Sequence, residues 1–296
     1  MSSTVKKFRG TGVAMVTPFK NDGSVDYKQL EKVTQHIIKG KCEYLVVLGT
    51  TGESVTLTKE EKKSVVKCVI NAADKKVPVV LGHGGNNTQE LLEGLNTLNF
   101  KGIDALLSVS PYYNKPTQEG IYQHYKALAQ NSPLPIILYN VPGRTASNIT
   151  ADTTLRLAHD CKNIIAVKEA SGNIEQMMKI INGKPKDFLV ISGDDALTLP
   201  LSACGGDGVI SVVANAFPKD YSEMVRLSLK GDFAKAQKLH YKLLEIIGLL
   251  FVDGNPAGVK CAMQLLRVCN DKVRLPLVGV TKPTSDRLKE LIKKYR

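Results

Sequence analysis

The sequence predicts an α/β fold, a (β/α)8 TIM barrel followed by a C-terminal helical extension, and three observations carry that expectation. The first is a series of short apolar, β-branched runs: "GVAMVTPF" (12–19), "YLVVLGT" (44–50), "VPVVLGHG" (77–84), "DALLSVS" (104–110), "PIILYNV" (135–141), "NIIAVKEAS" (163–171), "FLVISGDD" (188–195) and "DGVISVVAN" (207–215). Each run is nearly continuous in hydrophobicity, which is how strands buried on both faces of a parallel sheet read. The second is that capped helical patterns lie between them. Thr58 opens "TKEE" as a capping box with Glu61 before "SVVKCVINAA", and Thr117 precedes "QEGIYQHYKALAQ". The third is that the strand signal stops past residue 216, where 218–230, 232–250, 256–268 and 284–295 show helical periodicity broken by "DGNPAG". Eight strands alternating with helices are the pattern of a closed parallel barrel. The expected division is a catalytic barrel over 1–230 and a helical domain over 231–296.

Composition narrows the function classes. The 296 residues are 43% hydrophobic and 23% charged, ordinary for a globular chain. No run approaches the roughly 18–20 uninterrupted apolar residues of a membrane span. The opening "MSSTVKKFRG" lacks the apolar core of a secretory signal, so a soluble, cytoplasmic protein with no membrane partner is expected. The cysteines, Cys42, Cys68, Cys161, Cys204, Cys261 and Cys269, show neither C-x-x-C nor a Cys/His cluster; reduced, buried thiols are expected, with no metal and no cofactor. A net charge of +12 raises nucleic-acid binding. The lysines are nevertheless spread over helix faces and the two chain ends, without an accompanying binding motif, so attraction of small anionic substrates is the expected use of that charge.

Chemistry in such a barrel is expected at the C-terminal ends of the strands. Those ends carry "GTTGES" (49–54), "SPYYNKP" (110–116), "YNVPGR" (139–144), Lys168, "SGDD" (192–195) and Ile210. Lys168 stands out, because it ends an apolar run and lysine is almost never buried without a partner. Strand alternation puts Ile164, Ala166, Lys168 and Ala170 on one face and Ile165, Val167 and Glu169 on the other, so Glu169 is not its same-face partner. Two readings remain open. One is a strand-end lysine paired with a carboxylate across the barrel; the other is an amine that burial keeps deprotonated more readily, able to attack a carbonyl and form a Schiff base.

Schiff-base chemistry moves protons. Tyr139 on the neighbouring strand, the hydroxyls of Thr50 and Thr51, and the phenols of Tyr112 and Tyr113 could serve, although each taken singly also reads as a structural residue. Arg144, beyond a Pro-Gly turn, suits bidentate capture of a carboxylate. "GTTGES" lacks the Gly-Lys-Ser/Thr ending of a phosphate loop, "GHGGNN" (82–87) and "GGDG" (205–208) read as tight turns, and Asp194 and Asp195 face opposite sides and read as structural. His83 is the only histidine at a strand end and reads as packed or hydrogen-bonded.

With these residues assembled, the whole chain resembles the pyruvate-dependent class I aldolase family, in its dihydrodipicolinate synthase branch. The motifs run from "GTGVAMVTPF" through "LVVLGTTGES", "SPYYNKPTQEG", "YNVPGRT", "VKEASGN", "SGDDALTLP" and "GVISVVAN" to "GNPAGVK". The resemblance implies that Lys168 forms the Schiff base with pyruvate. It makes Tyr139 the general acid/base, linked through Thr50 to Tyr113, which in this family reaches into the neighbouring subunit's site. Thr51 would hold the pyruvate carboxylate, Arg144 the carboxylate of L-aspartate-4-semialdehyde, and Ile210 would offer a backbone carbonyl near bound pyruvate. It further implies a homo-oligomer, a tetramer built as a dimer of dimers, acting in lysine and diaminopimelate biosynthesis.

Ser54, Asn86, Glu90 and Tyr112 match the family's lysine-inhibitor site, whereas Lys59 stands where some sensitive enzymes carry a histidine and Lys62 adds another positive charge. Two alternatives stay open: N-acetylneuraminate lyase or another sugar-acid aldolase of the family, which Arg144 disfavours, and a non-catalytic basic nucleic-acid-binding barrel.

Overall fold

The computed structural model of the chain describes residues 3–295. Its strands are Gly10–Ala14 (β1), Tyr44–Val47 (β2), Val79–Gly82 (β3), Ala105–Val109 (β4), Ile136–Asn140 (β5), Ile164–Glu169 (β6), Leu189–Ser192 (β7) and Gly208–Ser211 (β8). They pair in parallel in sequence order, and β8 closes on β1. The helices are Ser3–Lys6 (α1), Tyr27–Lys39 (α2), Lys59–Ala73 (α3), Thr88–Thr97 (α4), Gln118–Asn131 (α5), Pro142–Thr145 (α6), Ala151–Asp160 (α7), Ile174–Gly183 (α8), Thr198–Ala203 (α9), Pro218–Leu229 (α10), Phe233–Val252 (α11), Ala257–Leu265 (α12) and Lys282–Tyr295 (α13). No helix among the described residues is long and apolar enough to cross a membrane.

Helix starts follow local chemistry. Thr58 accepts from the Glu61 amide while the Glu61 carboxylate accepts from the Thr58 amide, and Thr117 accepts from the Gly120 amide. Asp26, Asn87, Thr150, Asn173 and Asp232 cap α2, α4, α7, α8 and α11 in the same way, each satisfying a donor that has no partner inside its helix.

The sheet separates two apolar layers. Ala14, Val46, Val80, Leu107, Ile137, Ala166, Ile191 and Ile210 pack inside the barrel, while Val13, Leu45, Leu81, Leu106, Leu138, Val167, Val190 and Val209 pack outward under the helices. The interior is filled from below by Tyr44, whose ring meets Phe8 edge-on at 5.6 Å. Gly12 makes that possible, since a Cβ there would lie 2.1 Å from the Tyr44 ring.

Two local expectations change. The first strand pairs from Gly10 rather than residue 12, because Gly10 aligns with Gly208 across the closing seam, where a Cβ on Gly208 would lie 2.0 Å from the Gly10 carbonyl. On β6 the register shifts by one residue between Ile136 and Ile137 of its neighbour. Consequently Ile164 packs outward and Ile165 inward, the reverse of strict alternation, while Ala166, Lys168 and Glu169 keep their expected sides. A bulge of this kind inserts one residue and flips the faces on one side of it.

The C-terminal helices brace the loop after β2. Helices α11, α12 and α13 pack on one another, and α11 also packs on α10. The α12 residue Lys260 is fully buried with its Nζ 2.5 Å from Glu53 Oε1 and 2.7 Å from the Lys272 carbonyl. Glu53, left-handed at φ 52°, accepts the Arg274 amide through Oε2 at 2.9 Å. Arg274 grips both oxygens of Glu61 at 2.5 and 2.8 Å, and hydrogen bonding to this guanidinium draws the Glu61 carboxyl down to about 2. Removing one partner of a buried pair strands the other's charge. Lys260→Met should therefore cost about 3–5 kcal/mol in urea unfolding, and pairing it with Glu53→Gln should recover part of that loss; a single variant within 1 kcal/mol of wild type would contradict this role.

Candidate active site

The site is built where the in-register strands β5 and β6 end. Tyr139 and Lys168 are Cα partners across the ladder, and so are Asn140 and Glu169. Neighbouring strand residues point to opposite sides, so the first pair lies inside the barrel and the second outside. The Lys168 side chain is 5% exposed. Its Nζ lies 4.0 Å from the centre of the Tyr139 ring. Among the described residues it makes no ion pair or hydrogen bond. The carboxylate that a purely structural strand-end lysine would need is not beside it.

Small residues clear the space around this amine. Ala166 and Ala170 flank it on β6 and just beyond, and Gly193 lies at the end of β7, where a Cβ would come within 3.1 Å of Lys168 Cε and 2.6 Å of Ala170 Cβ. Ile210 on β8 contributes a fully buried side chain to the same inner layer.

The loop after β2 supplies the threonines. Thr50–Gly52 and Ser54–Thr56 form two short 3-10 turns. Thr50 is exposed, whereas Thr51 is buried and its Oγ1 accepts from Asn255 Nδ2 at 3.0 Å. Thr17 Oγ1 donates to the Gly52 carbonyl at 2.7 Å, tying the loop to the segment after β1. Arg144 sits on the single turn α6, not on a free Pro-Gly turn, and is exposed. Its guanidinium makes no ion pair or hydrogen bond among the described residues. Tyr113 is 86% exposed and holds a left-handed φ of 74°, a conformation costly for a bulky side chain.

Of the residues matched to an inhibitor site, Asn86 donates to the Tyr112 carbonyl at 3.2 Å, Glu90 lies in the first turn of α4, and Ser54 lies in the second 3-10 turn. Asp195 is structural as expected: its Oδ2 accepts the Val212 and Val213 amides at 3.0 and 2.9 Å, and burial pushes its carboxyl up. Asp194 accepts the amides of Ala196 and Leu197. His83 is hydrogen-bonded to the Leu91 carbonyl and its pKa is lowered by burial. Four cysteines are buried, but Cys68 on α3 and Cys204, the residue that ends α9, are only half-buried. Among the described residues no group of three His, Cys, Asp or Glu is placed to hold a metal ion.

Sequence reasoning missed Asn255, Glu53 and Lys260 as supports of the site. They lie in quoted motifs, but their partners are about two hundred residues away in the chain, so no local periodicity joins them. At the opposite mouth of the barrel, a cavity of about 560 Å³ is lined by Lys6, Arg9, Glu43, Asp207, Arg226 and Lys230. Four of these charges pair with one another, Arg226 with Glu43 at 3.0 Å and Arg9 with Asp207 at 3.7 Å, as suits the face of a barrel that serves stability.

Comparison with known proteins places this arrangement. The model of the dihydrodipicolinate synthetase family matches residues 7–295. The 4-hydroxy-tetrahydrodipicolinate synthase of Flavobacterium psychrophilum is 56% identical over 96% of this chain and 97% of that protein, and the one from Parabacteroides distasonis is 54% identical over 96% of each. Among solved structures, dihydrodipicolinate synthase from Thermotoga maritima superposes with a TM-score of 0.95 at 40% identity, covering 98% of this chain and 99% of that one. A monomeric dihydrodipicolinate synthase variant also gives 0.95 at 40% identity, covering 98% of each chain. The synthase from Cyanidioschyzon merolae with lysine bound gives 0.93 at 40%, covering 98% of each. With the family model spanning nearly every residue and relatives more than half identical, the chain belongs to the dihydrodipicolinate synthetase family, as an enzyme of the class I aldolase type.

Proposed function

We propose that the chain is a 4-hydroxy-tetrahydrodipicolinate synthase that condenses pyruvate with L-aspartate-4-semialdehyde through a Schiff base on Lys168. The observation that carries this reading is a buried lysine with no acidic partner among the described residues, under a tyrosine ring, at the C-terminal end of a barrel strand. The Lys168 amine attacks the pyruvate ketone, and loss of water leaves an imine. The imine withdraws electrons, so the pyruvate methyl group gives up a proton and the resulting enamine attacks the semialdehyde carbonyl carbon. The substrate's own amine then displaces Lys168, closing the ring and freeing the enzyme. Tyr139, with Thr50 and a partner subunit's copy of Tyr113, moves the protons. Thr51 receives the pyruvate carboxylate, near the Ile210 carbonyl.

Several features support the finer assignments. Arg144 is an exposed guanidinium on the loop leaving β5, without an ion pair or hydrogen bond among the described residues and so open to a carboxylate. Tyr113 is held exposed in a strained backbone, which fits a side chain whose contacts lie in another subunit. A homo-oligomer, assembled as two tight dimers in the cytoplasm, goes with that reading, and so does a place in lysine and diaminopimelate biosynthesis. Within the same reading, the region of Ser54, Asn86, Glu90 and Tyr112 is a lysine-binding cleft, and the structurally similar synthase from Cyanidioschyzon merolae was solved with lysine bound.

Lys168→Ala should abolish pyruvate-dependent borohydride trapping; a trapped pyruvate adduct in that variant would overturn the assignment. Arg144→Ala should lower kcat/KM for the semialdehyde about ten- to a hundredfold, the worth of a charge-assisted pair, with pyruvate imine formation largely retained. Equal loss with both substrates would contradict a carboxylate-binding role. L-lysine added to initial-rate assays should inhibit, and a flat titration into the millimolar range would remove the regulatory cleft.

A further inference from the structure

Directly behind the Tyr139–Lys168 pair, on the outer side of the sheet, lies a second pair that the chemistry above does not use. Glu169 is fully buried. Its Oε1 accepts from Asn140 Nδ2 at 2.9 Å and from the Ser171 amide at 3.1 Å, and its Oε2 accepts from Gln176 Nε2 at 2.8 Å. These donors, and the Ser171 hydroxyl that also hydrogen-bonds the carboxylate, are neutral. A carboxylate sealed from water with no cation is expensive to keep, and burial pushes its carboxyl up despite these hydrogen bonds.

The partners of Glu169 reach the loop that carries Arg144. Asn140 is the last residue of β5, and that loop leaves from it. Asn140 Nδ2 also donates to Asn148 Oδ1 at 2.8 Å, and Asn140 Oδ1 accepts the Ile149 amide at 2.9 Å. Gln176 on α8 donates through Nε2 to the Ile149 carbonyl at 3.2 Å and accepts from Asn148 Nδ2 at 2.9 Å. The loop from Val141 to Ile149 is therefore stitched at its start and its end to one buried carboxylate on β6. The directions of these bonds are not interchangeable. The Ile149 and Ser171 amides can only donate, so they fix which way Asn140 points and require an acceptor at position 169.

We propose that Glu169 is a positioning residue: its carboxylate locks the Arg144-bearing loop to the strand that bears Lys168, and so sets the distance at which the second substrate's carboxylate is received from the imine. This rests on the proposed function and deepens it, since it makes recognition of the second substrate depend on a residue that touches neither substrate. The adjacent positions 168 and 169 then divide the work, with covalent chemistry inside the barrel and alignment of the second substrate outside it.

Glu169→Gln has the same shape but turns one acceptor into a donor, setting two N–H groups against each other where Asn140 or Gln176 now donates. We expect the KM for L-aspartate-4-semialdehyde to rise about tenfold while pyruvate imine formation stays within about twofold of wild type. A general loss of stability would not discriminate between the substrates. Because Glu169 acts through Arg144, its effect should disappear in an Arg144→Ala background, a non-additivity that reports coupling. Comparable loss of imine formation, or the same factor with and without Arg144, would overturn the inference. Should Glu169→Gln not fold, Asn148→Ala, at the more open end of the network, is judged by the same criteria with a smaller expected effect. Wild-type enzyme that did not turn over the semialdehyde would instead overturn the function itself, and the inference with it.

Discussion

Closing eight parallel strands into a ring gives every sheet residue one of two sides, and the rest of this molecule follows from that constraint. On β5 and β6 the ladder sets Tyr139 against Lys168 and Asn140 against Glu169. A shift of one residue would exchange the amine for a carboxylate inside the barrel and turn Lys168 into the helix layer. The bulge near Ile164 shows how local the tolerance is, since it reverses two isoleucines and leaves the four strand residues that follow in place.

A barrel alone would leave the loop after β2 open to solvent on one side. The chain closes that side with its own C-terminal segment, through Asn255 in the link between α11 and α12 on Thr51 and Lys260 of α12 on Glu53. Burial lowers the Lys260 pKa while the Glu53 carboxylate opposes that shift, so attraction within the pair works against the cost of taking both charges out of water. Buried ion pairs of this kind add little net stability relative to apolar packing, but they penalise any arrangement that separates them. The loop bearing Thr50 and Thr51 is consequently tied to the far end of the chain, and the site is completed only when the whole chain has folded.

Much of this was legible in the sequence because parallel strands buried on both faces are read as continuous apolar runs, and because Thr58, Thr117 and the glycines of the turns carry their own local signals. Lys168 was legible for the opposite reason: it is the residue that does not belong in such a run. Less legible was anything depending on distant partners. Glu53 and Lys260 are 207 positions apart, and neither looks unusual in its own segment. Glu169 was correctly placed on the outer face, yet alternation could not say which amides would surround it. The Ile164–Ile165 reversal left no trace either, since both residues are isoleucine and suit either layer.

The same division separates the reaction class from its substrate. On the proposed reading, a buried lysine without an ion-pair partner among the described residues serves the imine chemistry, and the choice of acceptor is assigned to Arg144 and the loop that holds it. The most direct measurement is initial-rate turnover of pyruvate with L-aspartate-4-semialdehyde, coupled to dihydrodipicolinate reductase, beside cleavage of N-acetylneuraminate under the same conditions. The account predicts turnover with the semialdehyde and none with the sugar acid. Sugar-acid cleavage without semialdehyde turnover would contradict it, leaving Lys168 as the imine-forming residue and Arg144 without the part assigned to it.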